Sequence, residues 1–135
     1  MLNLNNVKLQ QFYLECQKDK LIGIDTEFYR VDTYYPKLCL IQISNLSQSI
    51  IIDPICGKLE KKFLENLLYN KSISKVFFAA SQDIEIFYKI FKKVPKPTYD
   101  LQLCIALINK NLSLSYSSAC KNFLAININK TNQFV

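Results

Sequence analysis

Three β-rich segments follow one another between residues 21 and 54, and they limit the fold of this chain more than any other feature. They are LIGIDTEF (21–28), KLCLIQIS (37–44) and QSIIIDP (48–54), the last two linked through the polar stretch NLSQ. Strands this close, with links this short, predict an antiparallel meander. Ahead of them, Leu4, Val7, Leu9, Phe12 and Tyr13 recur at roughly helical spacing, which predicts an amphipathic helix from about Leu4 to Cys16. After Gly57 the pattern turns helical again through about Tyr69, with Leu59, Phe63, Leu64, Leu67 and Leu68 as the apolar stripe. KVFFAA (75–80) reads as a buried fourth strand running into the helix SQDIEIFYKIF (81–91), where Ile84, Phe87, Tyr88 and Phe91 repeat. Beyond the proline-marked loop KVPKP, a helix is expected from about Thr98 to Asn109, with Leu101, Cys104, Ile105 and Ile108 on one face. A last helix is expected over Leu114 to Leu124. The order is helix, three strands, helix, strand, helices. It defines an α/β layout with a mixed sheet.

No internal repeat, low-complexity tract or composition break divides the chain, so residues 1–135 are expected to form a single domain. Half of the residues are hydrophobic, enough for a real core, and two glycines and four prolines leave little material for linkers. The five cysteines (Cys16, Cys39, Cys56, Cys104, Cys120) are scattered without a CxxC pair. Four of them lie beside apolar residues, so buried thiols in a reducing compartment are expected rather than a disulfide framework. There is no histidine, which excludes Ser-His-Asp triads, Cys-His dyads and His-ligated zinc. Acid, base or metal chemistry therefore falls to Asp, Glu, Tyr or Lys. The opening MLNLNNVKLQ lacks the apolar core of a signal peptide, and no apolar run reaches the length of a membrane span; a cytoplasmic protein is expected. The net charge of +6 suits a polyanionic partner, although a lysine-, isoleucine- and asparagine-rich composition also follows from an AT-rich genome.

The segment Ile24-Asp25-Thr26-Glu27-Phe28 carries the most chemistry. Alternate side chains of a strand point to opposite faces, so Asp25 and Glu27 share one face, while Ile22, Ile24 and Thr26 take the other. Paired carboxylates repel each other and call for a counter-charge, which a hard divalent cation supplies through oxygen ligands. Asp83 follows the fourth strand by a few residues. It is expected in the first turn of a helix capped by Ser81, where an acid also suits the helix dipole. Its location adds a functional argument, since sites in α/β sheets gather where strands end and helices begin. Asp53, before Pro54, is accounted for by an Asp-Pro turn, and Asp100 by a helix start.

Taken together, these segments resemble ribonuclease D and its relatives in the DEDD 3′–5′ exonuclease superfamily. IDTEFYRVDTYYPKLCLIQIS is similar to that family's first exonuclease motif, with Thr33-Tyr34-Tyr35-Pro36 and Leu40-Ile41-Gln42 distinctive of the ribonuclease D branch. IIDP (51–54) is similar to the end of the third strand, KVFFAASQDIEIF to the second motif, and PTYDLQL (97–103) to the helix start that follows. The resemblance implies an RNase H-like mixed sheet flanked by helices. It also implies hydrolysis of RNA 3′ ends by two divalent cations, Mg²⁺ or Mn²⁺, with transfer RNA processing as the associated task. Carried over, Asp25 would bridge both ions, Glu27 would hold the ion that activates water, and Asp83 would serve the second. The nucleic-acid partner is then an RNA 3′ end, and no membrane is involved.

One departure stands out: the family's third motif, Tyr-x-x-x-Asp, is missing. INKTNQFV at the C-terminus is similar to the approach to that helix; Tyr116 is followed at the needed spacing by Cys120, and Tyr88 by Lys92. A chain truncated before this motif, and so lacking the final catalytic helix, is expected to expose apolar surface and to be weak or inactive alone. Two alternatives follow. A separate fragment could supply the missing helix, or the chain could be a non-catalytic nucleic-acid-binding remnant using Lys92, Lys93, Lys96 and exposed aromatics.

Overall fold

A computed structural model describes residues 6–31, 34–57, 59–109 and 114–128. Leu4, Thr33 and the segment 129–135, each used in the sequence comparison above, lie outside the described residues. In chain order the elements are α1 (Asn6–Asp19), β1 (Leu21–Tyr29), β2 (Lys37–Ser44), β3 (Ser49–Ile52), α2 (Lys61–Leu68), β4 (Ser74–Phe77), α3 (Ser81–Phe91), β5 (Thr98–Asp100), α4 (Leu101–Asn109) and α5 (Tyr116–Leu124). The five strands form one mixed sheet in the order β3-β2-β1-β4-β5. β1, β2 and β3 pair antiparallel as the expected meander, whereas β4 joins β1, and β5 joins β4, in parallel.

The core follows directly from strand alternation. Ile22 and Ile24 on β1, Ile41 and Ile43 on β2, and Ile50 and Ile52 on β3 all turn to the buried side. Leu9, Phe12 and Cys16 of α1, spaced three and four residues apart, cover that side together with Leu64, Leu67 and Leu68 of α2. The opposite edge of α1, with Val7 and Leu14, stays in solvent.

Five expectations need correction. Thr98–Asp100 is not the start of a helix but a fifth strand, with Thr98, Tyr99 and Asp100 opposite Lys75, Val76 and Phe77. Three residues are too few for a period to show, and the backbone of β4 decides their conformation. β4 itself ends at Phe77, because Ala79 adopts the left-handed conformation (φ 61°) and turns the chain into α3. On α3, Tyr88 is exposed and Ile86 is buried beside Phe87. Of the cysteines, only Cys16 and Cys120 are buried; Cys39 and Cys104 are partly covered, Cys56 is exposed, and all five are free. The face expected on α4 is not buried either: Leu101 and Ile108 are exposed, and Cys104 and Ile105 only partly covered.

One buried group was not foreseen. Lys75 is fully buried at the start of β4, and its ammonium donates to the carbonyls of Asn70 (2.5 Å), Ile73 (2.8 Å) and Lys96 (2.8 Å). It joins the α2–β4 turn to the loop before β5, with the Lys75 amide bonded to the Pro97 carbonyl at 3.0 Å as well.

Candidate active site

β1 lies at the switch point of the sheet, antiparallel to one neighbour and parallel to the other. Its pairing with β4 covers only Leu21, Ile22 and Gly23, so the second half of β1 runs beyond its parallel neighbour. Asp25 and Glu27 lie on that overhang, both exposed, with buried Thr26 between them. Across the antiparallel ladder, Asp25 faces Gln42 and Glu27 faces Leu40, so β2 offers neither of them a cation. Ladder register shifts after Glu27, where a bulge lies between Glu27 and Phe28.

Because β4 stops short, the turn at Phe78–Ala80 and the first turn of α3 fill the gap beside the overhang. This places Asp83, 6% exposed, against β1, where its Oδ1 accepts a 2.6 Å hydrogen bond from the Thr26 hydroxyl. Ser81 is not the cap: Ala80 holds the N-cap position without a side-chain bond. The amides of Ala79 and Ala80 instead donate to Asp100, at 3.0 Å and 2.9 Å, and the Gln102 amide donates to the same carboxylate at 2.9 Å. Asp100 thus ties the entry of α3 to the entry of α4. Asp53 plays the turn role expected of it, accepting from the Ile55 and Cys56 amides, both at 2.9 Å.

The electrostatics are those of anions short of compensation. Burial pushes the Asp83 carboxyl up, the Thr26 hydrogen bond pulls it back, and the negative charge of Asp25 raises it again. Burial also raises Asp25, against the Thr26 amide. Among the described residues, neither of these aspartates nor Glu27 forms an ion pair; the pairs present are Arg30–Glu85 and Lys93–Glu65. Hard oxygen donors without a basic partner fit a divalent cation in their chemistry. Even so, no three Asp, Glu, Cys or His side chains among the described residues gather closely enough to hold an ion by themselves. Two anionic groups, Asp25 and Asp83, sense each other, and Asp83 is turned toward Thr26.

Tyr116, at the head of α5, was noted in the sequence only for lacking an acid four residues on. Its ring meets Phe78 edge-on at 5.2 Å, and its hydroxyl is held protonated by burial, by the adjoining Cys120 thiol and by the charge of Asp25. The signal that would have found it is tertiary, since it depends on α5 packing beside the β4–α3 turn. Of the lysines considered for nucleic acid, Lys93 is already engaged with Glu65 at 3.3 Å.

The Thr26–Asp83 bond gives a direct test. Thr26→Val keeps the shape but removes the donor, so stability at neutral pH should fall by about 1–2 kcal/mol. Burial already holds the folded Asp83 carboxyl above its unfolded value, and the variant raises it further. The loss should therefore shrink as the pH falls and Asp83 takes up a proton. Urea denaturation at neutral and acidic pH reads both effects; a loss independent of pH would assign the bond no role in holding the anion.

An overhanging strand end with paired acids, and a third acid from the next strand–helix turn, define a class that the comparisons identify. The family model described as "3'-5' exonuclease" matches residues 4–135, and the chain belongs to that family. Within it the likeness is to ribonuclease D. The ribonuclease D of Bartonella henselae is 36% identical over 113 residues, a match covering 84% of this chain and 28% of that protein. The crystal structure of Escherichia coli RNase D, described as an exoribonuclease involved in structured RNA processing, superposes with a TM-score of 0.87 at 29% identity, over 98% of this chain and 35% of that one. Brucella melitensis NrnC, solved with bound Mg²⁺, shares the fold (TM-score 0.74, 22% identity, 88% of this chain and 60% of that one). The chain spans about a third of the length of the curated relatives it matches.

Proposed function

We propose that this chain carries the metal-binding part of a ribonuclease D-type exonuclease site acting on RNA 3′ ends, with Asp25, Glu27 and Asp83 as its carboxylates. The observation that carries the proposal is the meeting of Asp83 with the Asp25-Thr26-Glu27 segment, through a hydrogen bond that spans 57 positions of sequence. Asp25, Glu27 and Asp83 would hold divalent cations, Mg²⁺ or Mn²⁺, which when bound would stabilise the attacking and the leaving oxygen of a phosphodiester. Asp25 and Glu27 supply oxygen donors from one face of a rigid strand. Asp83 adds a third from α3, and Thr26 orients it. Tyr116, at the head of α5 and packed on Phe78, feels the charge of Asp25 among the causes that raise its hydroxyl. The described relatives that act on RNA make RNA 3′ ends the substrate of choice, with transfer RNA trimming the corresponding task.

The sequence holds no Tyr-x-x-x-Asp, so these residues alone are proposed to trim RNA slowly and to need a segment supplying that tyrosine and acid. Titration of the 135-residue chain with Mn²⁺ tests the carboxylates without relying on turnover. Asp25→Asn should weaken binding about tenfold or more, and an unchanged isotherm would remove Asp25 from the site. Hydrolysis of a 3′-ended RNA to nucleoside monophosphates, dependent on the metal and lost in Asp25→Asn, tests the activity itself. A second polypeptide carrying the Tyr-x-x-x-Asp helix should speed it.

A further inference from the structure

A cluster outside the carboxylates remains unexplained. Just past β1, Tyr34 and Tyr35 meet edge to face with ring centroids 4.7 Å apart, and both are exposed, Tyr34 at 81%. Tyr34, the more exposed of the two, is held in solvent against Tyr35 and forgoes the burial that usually stabilises an aromatic, which calls for a partner. Here the arrangement is braced from two sides. Arg30 donates to the Tyr34 carbonyl at 3.3 Å and pairs with Glu85 of α3 at 3.6 Å. One turn further along α3, the Lys89 ammonium lies 4.8 Å from the centre of the Tyr35 ring. Lys89 has no carboxylate within ion-pairing distance among the described residues, so its charge is available to an anion.

The placement of this cluster relative to the acids is informative. Glu27 and Tyr29 are both exposed on alternate positions of β1, and Arg30 follows at once. At about 3.3 Å per residue, Arg30 is roughly 10 Å beyond Glu27. α3 runs in the same region, with Asp83 in its first turn and Glu85 and Lys89 beyond it. One surface therefore passes from carboxylates to a cation and then to the exposed Tyr34 ring.

We infer that Tyr34, backed by Tyr35, braced by Arg30 and accompanied by Lys89, forms a base-stacking platform that receives a single-stranded nucleic acid whose 3′ end lies at the carboxylates. The inference rests on the proposed function for its polarity, but the platform itself is a binding claim. Ring faces stack on any base, and Lys89 meets the adjoining phosphate.

Fluorescence anisotropy with a 5′-labelled single-stranded oligoadenylate, in Ca²⁺ so that the strand stays intact, reads the platform directly. Tyr34→Ala should weaken binding roughly five- to hundredfold, and Tyr34→Phe, which keeps the ring, should not. Lys89→Ala should weaken binding and flatten its salt dependence, whereas Lys93→Ala, already paired with Glu65, should match the parent. Circular dichroism confirms folding of each variant. If Tyr34→Ala binds like the parent, or if Tyr34→Phe loses as much as Tyr34→Ala, stacking is overturned. A parent chain that does not bind the strand overturns it too. None of these results touches the Mn²⁺ isotherm, so the carboxylate site stands or falls separately.

Discussion

Lys75→Met is expected to lower the stability of the chain by about 2–4 kcal/mol at neutral pH, a large share of what a domain of this size has to lose. The ammonium satisfies three carbonyls, those of Asn70, Ile73 and Lys96, in a place solvent does not reach. Methionine fills the space of the stem but leaves all three without their donor. Relief from burying a charge returns part of that cost, which is why the loss is smaller than three full hydrogen-bond penalties. Burial also pushes the folded Lys75 down to about 8 from the ordinary 10.5. Between those values the unfolded chain binds a proton that the folded chain does not, so this residue makes stability rise as the pH climbs through that window. The parent should show the rise and Lys75→Met should lack it. Urea midpoints measured across the window provide the check, and a loss below about 1 kcal/mol would mean that water replaces the ammonium.

The second large effect concerns Asp100. Asp100→Ala removes the acceptor of three backbone amides, Ala79, Ala80 and Gln102, and should cost about 2–4 kcal/mol. Its consequence reaches further than stability. The amides of Ala79 and Ala80 fix the turn that launches α3, and Asp83 stands three residues beyond Ala80. Freed of that anchor, the Asp83 carboxylate should lose its set distance to the Thr26 hydroxyl, and Mn²⁺ affinity should fall although Asp100 supplies no ligand. Asp100→Asn, which retains one oxygen acceptor, should recover part of both losses. Equal affinity in the alanine variant and the parent would show that the turn holds its shape without Asp100.

How far these features could be read in advance depended on their range. The shared face of Asp25 and Glu27 is a property of strand alternation, so it was legible from five residues, and the burial of Thr26 between them agrees. The meander, α3 and the position of Asp83 at a strand–helix turn were legible for the same local reason. β5 was not, because Thr-Tyr-Asp acquires its extended form only by pairing with Lys75, Val76 and Phe77. Lys75 was not, because a lysine in a short strand reads as solvent-facing until three carbonyls from two separate loops converge on it. Asp100 was given a local capping task when its principal partners are 20 and 21 residues upstream. Tyr116 likewise gained its neighbour Phe78 from packing alone.

The overhang of β1 beyond β4 bears on how the molecule is made. Asp25 and Glu27 are synthesised before Asp83, which meets β1 at Thr26 only through a parallel crossover from β1 to β4, the kind of long-range pairing that forms slowly. The turn carrying it is not anchored until Asp100 has also been synthesised. During that interval the nascent chain holds two acids on a strand whose parallel neighbour has not arrived, with an unpaired edge open to other chains. Bringing Asp83 to the β1 segment is thus among the last events of folding, set by the arrival of β4 and β5 rather than by the strand that carries Asp25 and Glu27.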